Sequence, residues 1–314
     1  MTTDVLRADG AWWVVRGSRA ARVDTTATTT AELLADRAAI NAAADGTDES
    51  FATDVSGLPV ESPVTTPCRV VAQMVNYRSH AKESGFDPGR VQPTFFRKAS
   101  GSVVGPTSDI VKPAHVRLLD YEVELGLVIG AAVPVGTTVT DATLPDYVAG
   151  LVVTNDVSAR DVQLAKGQFY ESKSYPTFTP VGPRLTLLER EEFARLVDLR
   201  LQLSVDGVLR QDRTVADMIH PPAAALTALA RFQRLEPGDL VLTGTPGGTA
   251  LKAPPHAVEL VANLLPTRVK WKVFFDGQAK NPDYLRPGNR VTASIRTGDG
   301  RIDLGSQDCT VVQG

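Results

Sequence analysis

The chain has 314 residues, 43% hydrophobic and 22% charged, with 33 basic against 36 acidic side chains and a net charge of −3. That is an ordinary globular composition, long enough for one large domain or two smaller ones, and its balanced charge predicts neither a nucleic-acid nor a membrane surface. No apolar run approaches the ~20 residues of a membrane span, and the start MTTDVLRADG lacks the basic and apolar regions of a signal peptide, so the sequence reads as cytoplasmic.

In chain order, Thr3 to Asp24 reads as a hairpin turning at Asp9-Gly10, with Trp12 and Trp13 as packing residues. Thr29 and Glu32 have capping-box spacing and start a helix through Leu33, Leu34 and Ile40, ended by Asp45-Gly46-Thr47. Ser56 to Pro67 bears Pro and Ser and reads as a linker. A small N-terminal α/β domain over 1–66 is therefore expected, followed by a main domain over 67–314. In the main domain Val70 to Val75, Tyr121 to Ile129, Val148 to Val153, Leu199 to Val205 and Leu240 to Leu242 read as strands. Asp206-Gly207 is a hairpin turn, Pro222 to Leu235 a helix, and Glu236-Pro237-Gly238-Asp239 the turn after it. Strands outnumber helices without a βαβ rhythm, which predicts an α+β, mainly β fold. Cys68 and Cys309 have no CxxC partner and read as small hydrophobes in a reducing compartment.

Several apparent motifs carry no chemistry. Ser79-His80-Ala81-Lys82 fits S-x-x-K, but the S-D-N and K-T-G elements are missing. Gly101-Ser102-Val103-Val104-Gly105 is not a nucleophile elbow. Thr243-Gly244-Thr245-Pro246-Gly247-Gly248 has the glycines of a phosphate loop without its Lys and Ser/Thr. His80, His115, His220 and His256 lie too far apart in sequence for an H-x-x-x-H zinc site.

Three stretches combine into a chemical site. In LDYEVELGLVIG, Asp120, Glu122 and Glu124 alternate with apolar residues, so a strand points all three carboxylates to one face. Charges ~6–7 Å apart repel by only ~0.6 kcal/mol in water but ~2–3 at an effective dielectric of 20, so a buried face needs a counter-ion. Asp156, in VTNDVSARDVQ, follows an apolar run and can join Glu122 and Glu124, or else cap a helix over Ser158 to Leu164. Three carboxylates make an oxygen-only site for a hard cation, Mg2+ first and Mn2+ or Ca2+ next. In MVNYRSHAKESG, His80 and Glu83 share one face of a helical turn; a carboxylate beside imidazole supplies the pairing that takes a proton from water.

The stretches VNYRSHAKESG, LDYEVELGLVIG, GLVVTNDVSARDVQ, KSYPTFTPVGP and GDLVLTGTPGG occur in the order of the fumarylacetoacetate hydrolase family, which the chain resembles from Val70 to Thr249 and again at YLRPGNRVTASI. The resemblance implies that family's C-terminal fold, a mixed β-sandwich roll, and a homodimer. It implies Glu122, Glu124 and Asp156 as metal ligands, His80 and Glu83 as a catalytic dyad on a lid, and Lys173 as the active-site lysine. Arg160, Gln163 and Thr245 match substrate-facing positions; Lys98, in an F-x-K stretch, and Tyr77 are further pocket candidates. Two departures stand out. An insertion near 249–282 carries an expected helix (His256 to Leu265) and an apolar run (Trp271 to Phe275), and Asn289 follows a Pro-Gly turn that often continues with Asp. The activity implied is metal-dependent C–C bond hydrolysis of a 1,3-diketo acid through an enolate. Alternatives are decarboxylation of oxaloacetate, hydroxy-dienoate isomerisation and pyruvate aldol cleavage on the same platform, or a non-catalytic metal-stabilised protein.

Overall fold

The computed structural model describes residues 2–252 and 267–314. The expected helix over 256–265 lies outside the described residues. The fold is mixed and mainly β, built on two sheets. The larger runs in the order Thr53–Asp54, Arg19–Arg22, Ala11–Arg16, Thr3–Ala8, Leu185–Leu187, Val148–Asn155, Val123–Ile129, Leu240–Leu242, Val70–Met74, Thr94–Lys98. Only Leu240–Leu242 and Val70–Met74 pair in parallel along this path. The smaller sheet orders Val208–Thr214, Arg200–Val205, Arg290–Arg296, Asp303–Gln313 and Ile110–Lys112.

Both faces of the larger sheet are covered, which explains why LGLVIG is apolar throughout rather than alternating. Leu125 and Leu127 share one buried core with Leu201, Leu203, Val291 and Ile295 of the smaller sheet. Val128 and Val152 join Val5, Trp12, Leu33 and Ile40 on the opposite face. The N-terminal strands are thus hydrogen bonded into the main sheet through Thr3↔Leu187 and Val5↔Leu185, and share its core.

The local turn chemistry behaves as the residues dictate. Asp9 and Gly10 both take positive φ, as do Asp206 and Gly207, the requirement of the two-residue turn in each hairpin. The capping box at Thr29 and Glu32 is formed. The helix behind it is two helices, Thr30–Ala35 and Arg37–Ala44, because the Asp36 carboxylate accepts from Ala39 N and restarts the chain. Ser56 to Pro67 is not a loose linker: Val60–Glu61 pairs with Thr3–Ala8, and Val64 is buried. The helix at Pro222 ends at Ala230, and Trp271 to Phe275 lies in a helix, Thr267–Gln278.

Candidate active site

The acidic stretch is not one continuous strand. Leu119–Asp120 pairs with Ser158–Ala159, and the main strand begins at Val123. Side chains replace the ladder across the break: Glu122 N donates to Asn155 Oδ1 (3.0 Å) and Val123 N to Gln211 Oε1 (2.9 Å). Asp156 N donates to the Glu122 carbonyl at 2.8 Å, which fixes the end of strand Val148–Asn155 beside the start of its neighbour. Glu122, Glu124 and Asp156 are all buried, and their carboxylate oxygens come within 4.8 Å of one another. Asp156 caps no helix; the helix Arg160–Lys166 begins after Ala159 without a side-chain cap.

Asp120 stands apart from this triad. Its carboxylate accepts from Ala250 N (2.9 Å) and Leu251 N (3.1 Å), and from Arg160 Nε (2.8 Å). It anchors the entry to the inserted segment and holds one side of Arg160. The other side of that guanidinium donates to Glu122 and to Gln163 Oε1 (2.9 Å).

Two lysines complete the cluster. Lys173 Nζ lies 2.7 Å from Glu122 Oε2 and 2.7 Å from Asp156 Oδ2. Lys98 reaches Asp156 and the Phe178 carbonyl. Its strand register explains the placement: Lys98 lies opposite Val70 and Phe96 opposite Ala72, so both share the face from which Glu124 projects. Phe96 stacks on Phe169 at 5.2 Å, with the Lys173 ammonium 5.1 Å from its ring centre.

Three buried cations therefore serve four buried carboxylates, and Glu124 is left over. Among the described residues its one hydrogen-bond donor is Gly244 N, at 2.7 Å. Burial pushes its carboxyl well above the ordinary 4.5, and the charges of Asp156 and Glu122 push the same way. Burial also pushes Glu122 up, but Lys173 and Arg160 outweigh it and hold that carboxyl at about 2. A buried carboxyl short of one counter-charge, beside two further carboxylates whose oxygens have spare lone pairs, fits a divalent cation, which would favour its ionised form. Glu122, Glu124 and Asp156 are the residues that would hold it.

The helix Arg78–Glu83 carries His80, on which the charges of Glu122, Arg160 and Lys173 act. His80 is lowered from its ordinary pKa chiefly by burial, and its Nδ1 has no hydrogen-bond partner among the described residues. Tyr77 is fully buried, its hydroxyl likewise has no partner among the described residues, and burial and then the Glu124 charge raise its pKa. No hydrogen bond joins His80 to Glu83; Glu83 Oε2 instead accepts from Gly248 N at 2.8 Å. Thr245 is likewise engaged within the protein, donating to the Val123 carbonyl (2.9 Å) and accepting from Gln211 Nε2 (2.8 Å).

The glycine-rich turn that resembled a phosphate loop is the seat of this helix. A Cβ on Gly244 would come 2.7 Å from Asn76 Cβ, and one on Gly247 would come 2.7 Å from Glu83 Oε1. Close backbone approach, not phosphate binding, is what these glycines permit. Gly247 N donates to Ser79 Oγ at 3.0 Å, and Asn76 Nδ2 donates to the Thr243 carbonyl at 2.8 Å. Asn76, Ser79, Asp120, Asn155 and Gln211 were not assigned from the sequence as site supports. Each is a polar residue in an otherwise plain strand or turn, and only its buried partner reveals its task.

The chain matches the fumarylacetoacetate hydrolase C-terminal family model over residues 69–312. A mitochondrial oxaloacetate tautomerase of Bos taurus is 34% identical over 197 residues, 62% of this chain and 61% of the relative, so the match spans less than two thirds of that protein. A probable 2-hydroxyhepta-2,4-diene-1,7-dioate isomerase of Mycobacterium abscessus superposes with a TM-score of 0.75 and 25% identity, covering 100% of this chain and 99% of the other. Maleylpyruvate hydrolase of Sphingobium sp. SYK-6, solved with manganese and pyruvate, shares the fold at a TM-score of 0.73 and 23% identity over 99% of each chain. The five ordered sequence stretches, the two-sheet fold and the family match agree: the chain belongs to the fumarylacetoacetate hydrolase family.

Proposed function

We propose that this chain is a divalent-cation-dependent hydrolase that cleaves a C–C bond in a 1,3-diketo acid such as an acylpyruvate. The observation that carries the reading is the convergence of the buried Glu122, Glu124 and Asp156 carboxylates, with Glu124 short of a counter-charge. A cation held there, Mg2+ in the first instance, supplies positive charge for the keto-acid oxygens and for the negative charge that develops on them.

The chain's own residues do the rest. His80, kept neutral by burial, takes a proton from water at its imidazole. The hydroxide adds to the acyl carbonyl, the bond from that carbon to the methylene breaks, and the proton passes to the methylene carbon. A carboxylic acid and pyruvate result. Glu83, tied to Gly248 N, holds the helical turn that carries His80. Lys173, fixed between Glu122 and Asp156, places an ammonium beside the reacting oxygens. Arg160, Gln163, Lys98, Thr245 and Tyr77 shape the same pocket, and the working unit is a homodimer.

A second reading is enolisation without attack by water, as in a tautomerase or isomerase. The missing hydrogen bond between His80 and Glu83 favours it, since no described residue bonds the His80 Nδ1 and orients the imidazole. Acetylpyruvate and oxaloacetate, incubated with metal-free protein with and without Mg2+ and read by NMR, separate the two. Acetate plus pyruvate only with Mg2+ is the expected result. Oxaloacetate enol–keto exchange without acylpyruvate cleavage selects the second reading. His80→Ala should keep Mg2+ affinity and lose turnover ~100-fold or more, whereas Glu124→Ala should lose the cation. Equal calorimetric affinity in Glu124→Ala and wild type would remove the ligand assignment.

A further inference from the structure

We infer that Gln211 is the positioning residue that locks the metal-ligand strand to the turn carrying the His80 helix. The inference rests on the reading of Glu122, Glu124 and Asp156 as the cation site. Gln211 comes from the smaller sheet, on strand Val208–Thr214, and is fully buried. The strand pairing skips Arg210 between Leu209 and Gln211, a bulge of the kind that re-aims a side chain.

The Gln211 amide has two working arms. Its Oε1 accepts at 2.9 Å from the N–H of Val123, the residue between Glu122 and Glu124. Its Nε2 donates to Thr245 Oγ1 and to the Pro246 carbonyl, each at 2.8 Å. The residues just after Pro246 donate to Ser79 and Glu83 on the His80 helix. Gly248 also rests on the bulge itself: a Cβ there would lie 2.0 Å from the Arg210 carbonyl oxygen. One side chain from a distant strand thus sets the spacing between the carboxylates and the imidazole. The sequence assigns no role to it, and it touches neither a ligand oxygen nor the dyad.

Two variants separate the arms. Gln211→Leu removes both, and its Mn2+ affinity by calorimetry should fall about 10–100-fold, the usual loss when a residue supporting a ligand is removed. Its Val123 and Gly248 amide resonances should both move. Gln211→Glu keeps an acceptor toward Val123 but cannot donate to both Thr245 and Pro246. Its Mn2+ affinity should stay within about threefold of wild type while the Gly248 amide still moves. A folded Gln211→Leu with wild-type Mn2+ affinity and an unmoved Gly248 amide overturns the inference. Should Gln211→Leu not fold, an unmoved Gly248 amide in Gln211→Glu overturns it instead. Wild-type protein that takes up no Mn2+ removes the cation reading, and the amide comparison still decides the role of Gln211.

Discussion

Glu122 and Glu124 are two residues apart in one acidic stretch, yet their surroundings drive their ionisation in opposite directions. Glu122 meets two cations, Arg160 and Lys173; Glu124 meets one amide. The loss of stability in acid belongs to Glu122; the raised Glu124 carboxyl acts in the opposite sense, its contribution being present at low pH and lost as pH rises. A carboxyl held at about 2 against an ordinary 4.5 stabilises the fold above 4.5, and that contribution is lost as pH falls toward about 2. Urea unfolding of metal-free protein should therefore show stability dropping between about pH 5 and pH 3, with a shallower drop in Glu122→Gln. An equally steep drop in the variant would assign the acid sensitivity elsewhere. Period two in the sequence supplied the carboxylates; it did not separate Asp120 from the triad, because the strand break depends on Asn155 and Gln211 bonding the main chain from elsewhere.

Two elements depend on a single residue each. Asp36 ends one helix and begins the next. Asp36→Ala should cost about 1 kcal/mol, seen as a lower urea midpoint with an unchanged slope. Gly248, at φ 106° and pressed on the Arg210 carbonyl, has no room for a side chain. Gly248→Ala should destabilise by roughly 3 kcal/mol or more and displace Glu83, so a variant as stable as wild type would contradict the close approach. The capping box at Thr29 and both Asp-Gly turns were legible because their chemistry is local. Asp36 was not singled out, because the apolar spacing through Leu33, Leu34 and Ile40 suits one helix as well as two.

At the scale of the molecule, the N-terminal strands extend the sheet that carries the site. Trp12, Val14, Leu33 and Ile40 lie in one core with Val70, Val128 and Leu240. Asp4 bonds Thr186 and Arg184 across the join, at 2.7 and 2.9 Å. A shared core and a shared ladder predict one cooperative transition by calorimetry. Two separated transitions would instead make residues 1–66 an independent unit, as the composition of the Ser56–Pro67 stretch suggests.

The sequence by itself determined the family, the strand-rich class, the local turns and caps, and the candidate carboxylates, imidazole and lysine. Those features rest on composition, short-range periodicity and the order of five stretches. Only the tertiary structure decided which carboxylate of the cluster lacks a counter-charge, that Glu83 bonds Gly248 rather than His80, and that Gln211 reaches the strand bearing Glu122 and Glu124. Burial and long-range pairing set those outcomes. Gln211 and Val123 are 88 positions apart, and Glu83 and Gly248 are 165 apart. No local pattern in the chain encodes a partner at that distance.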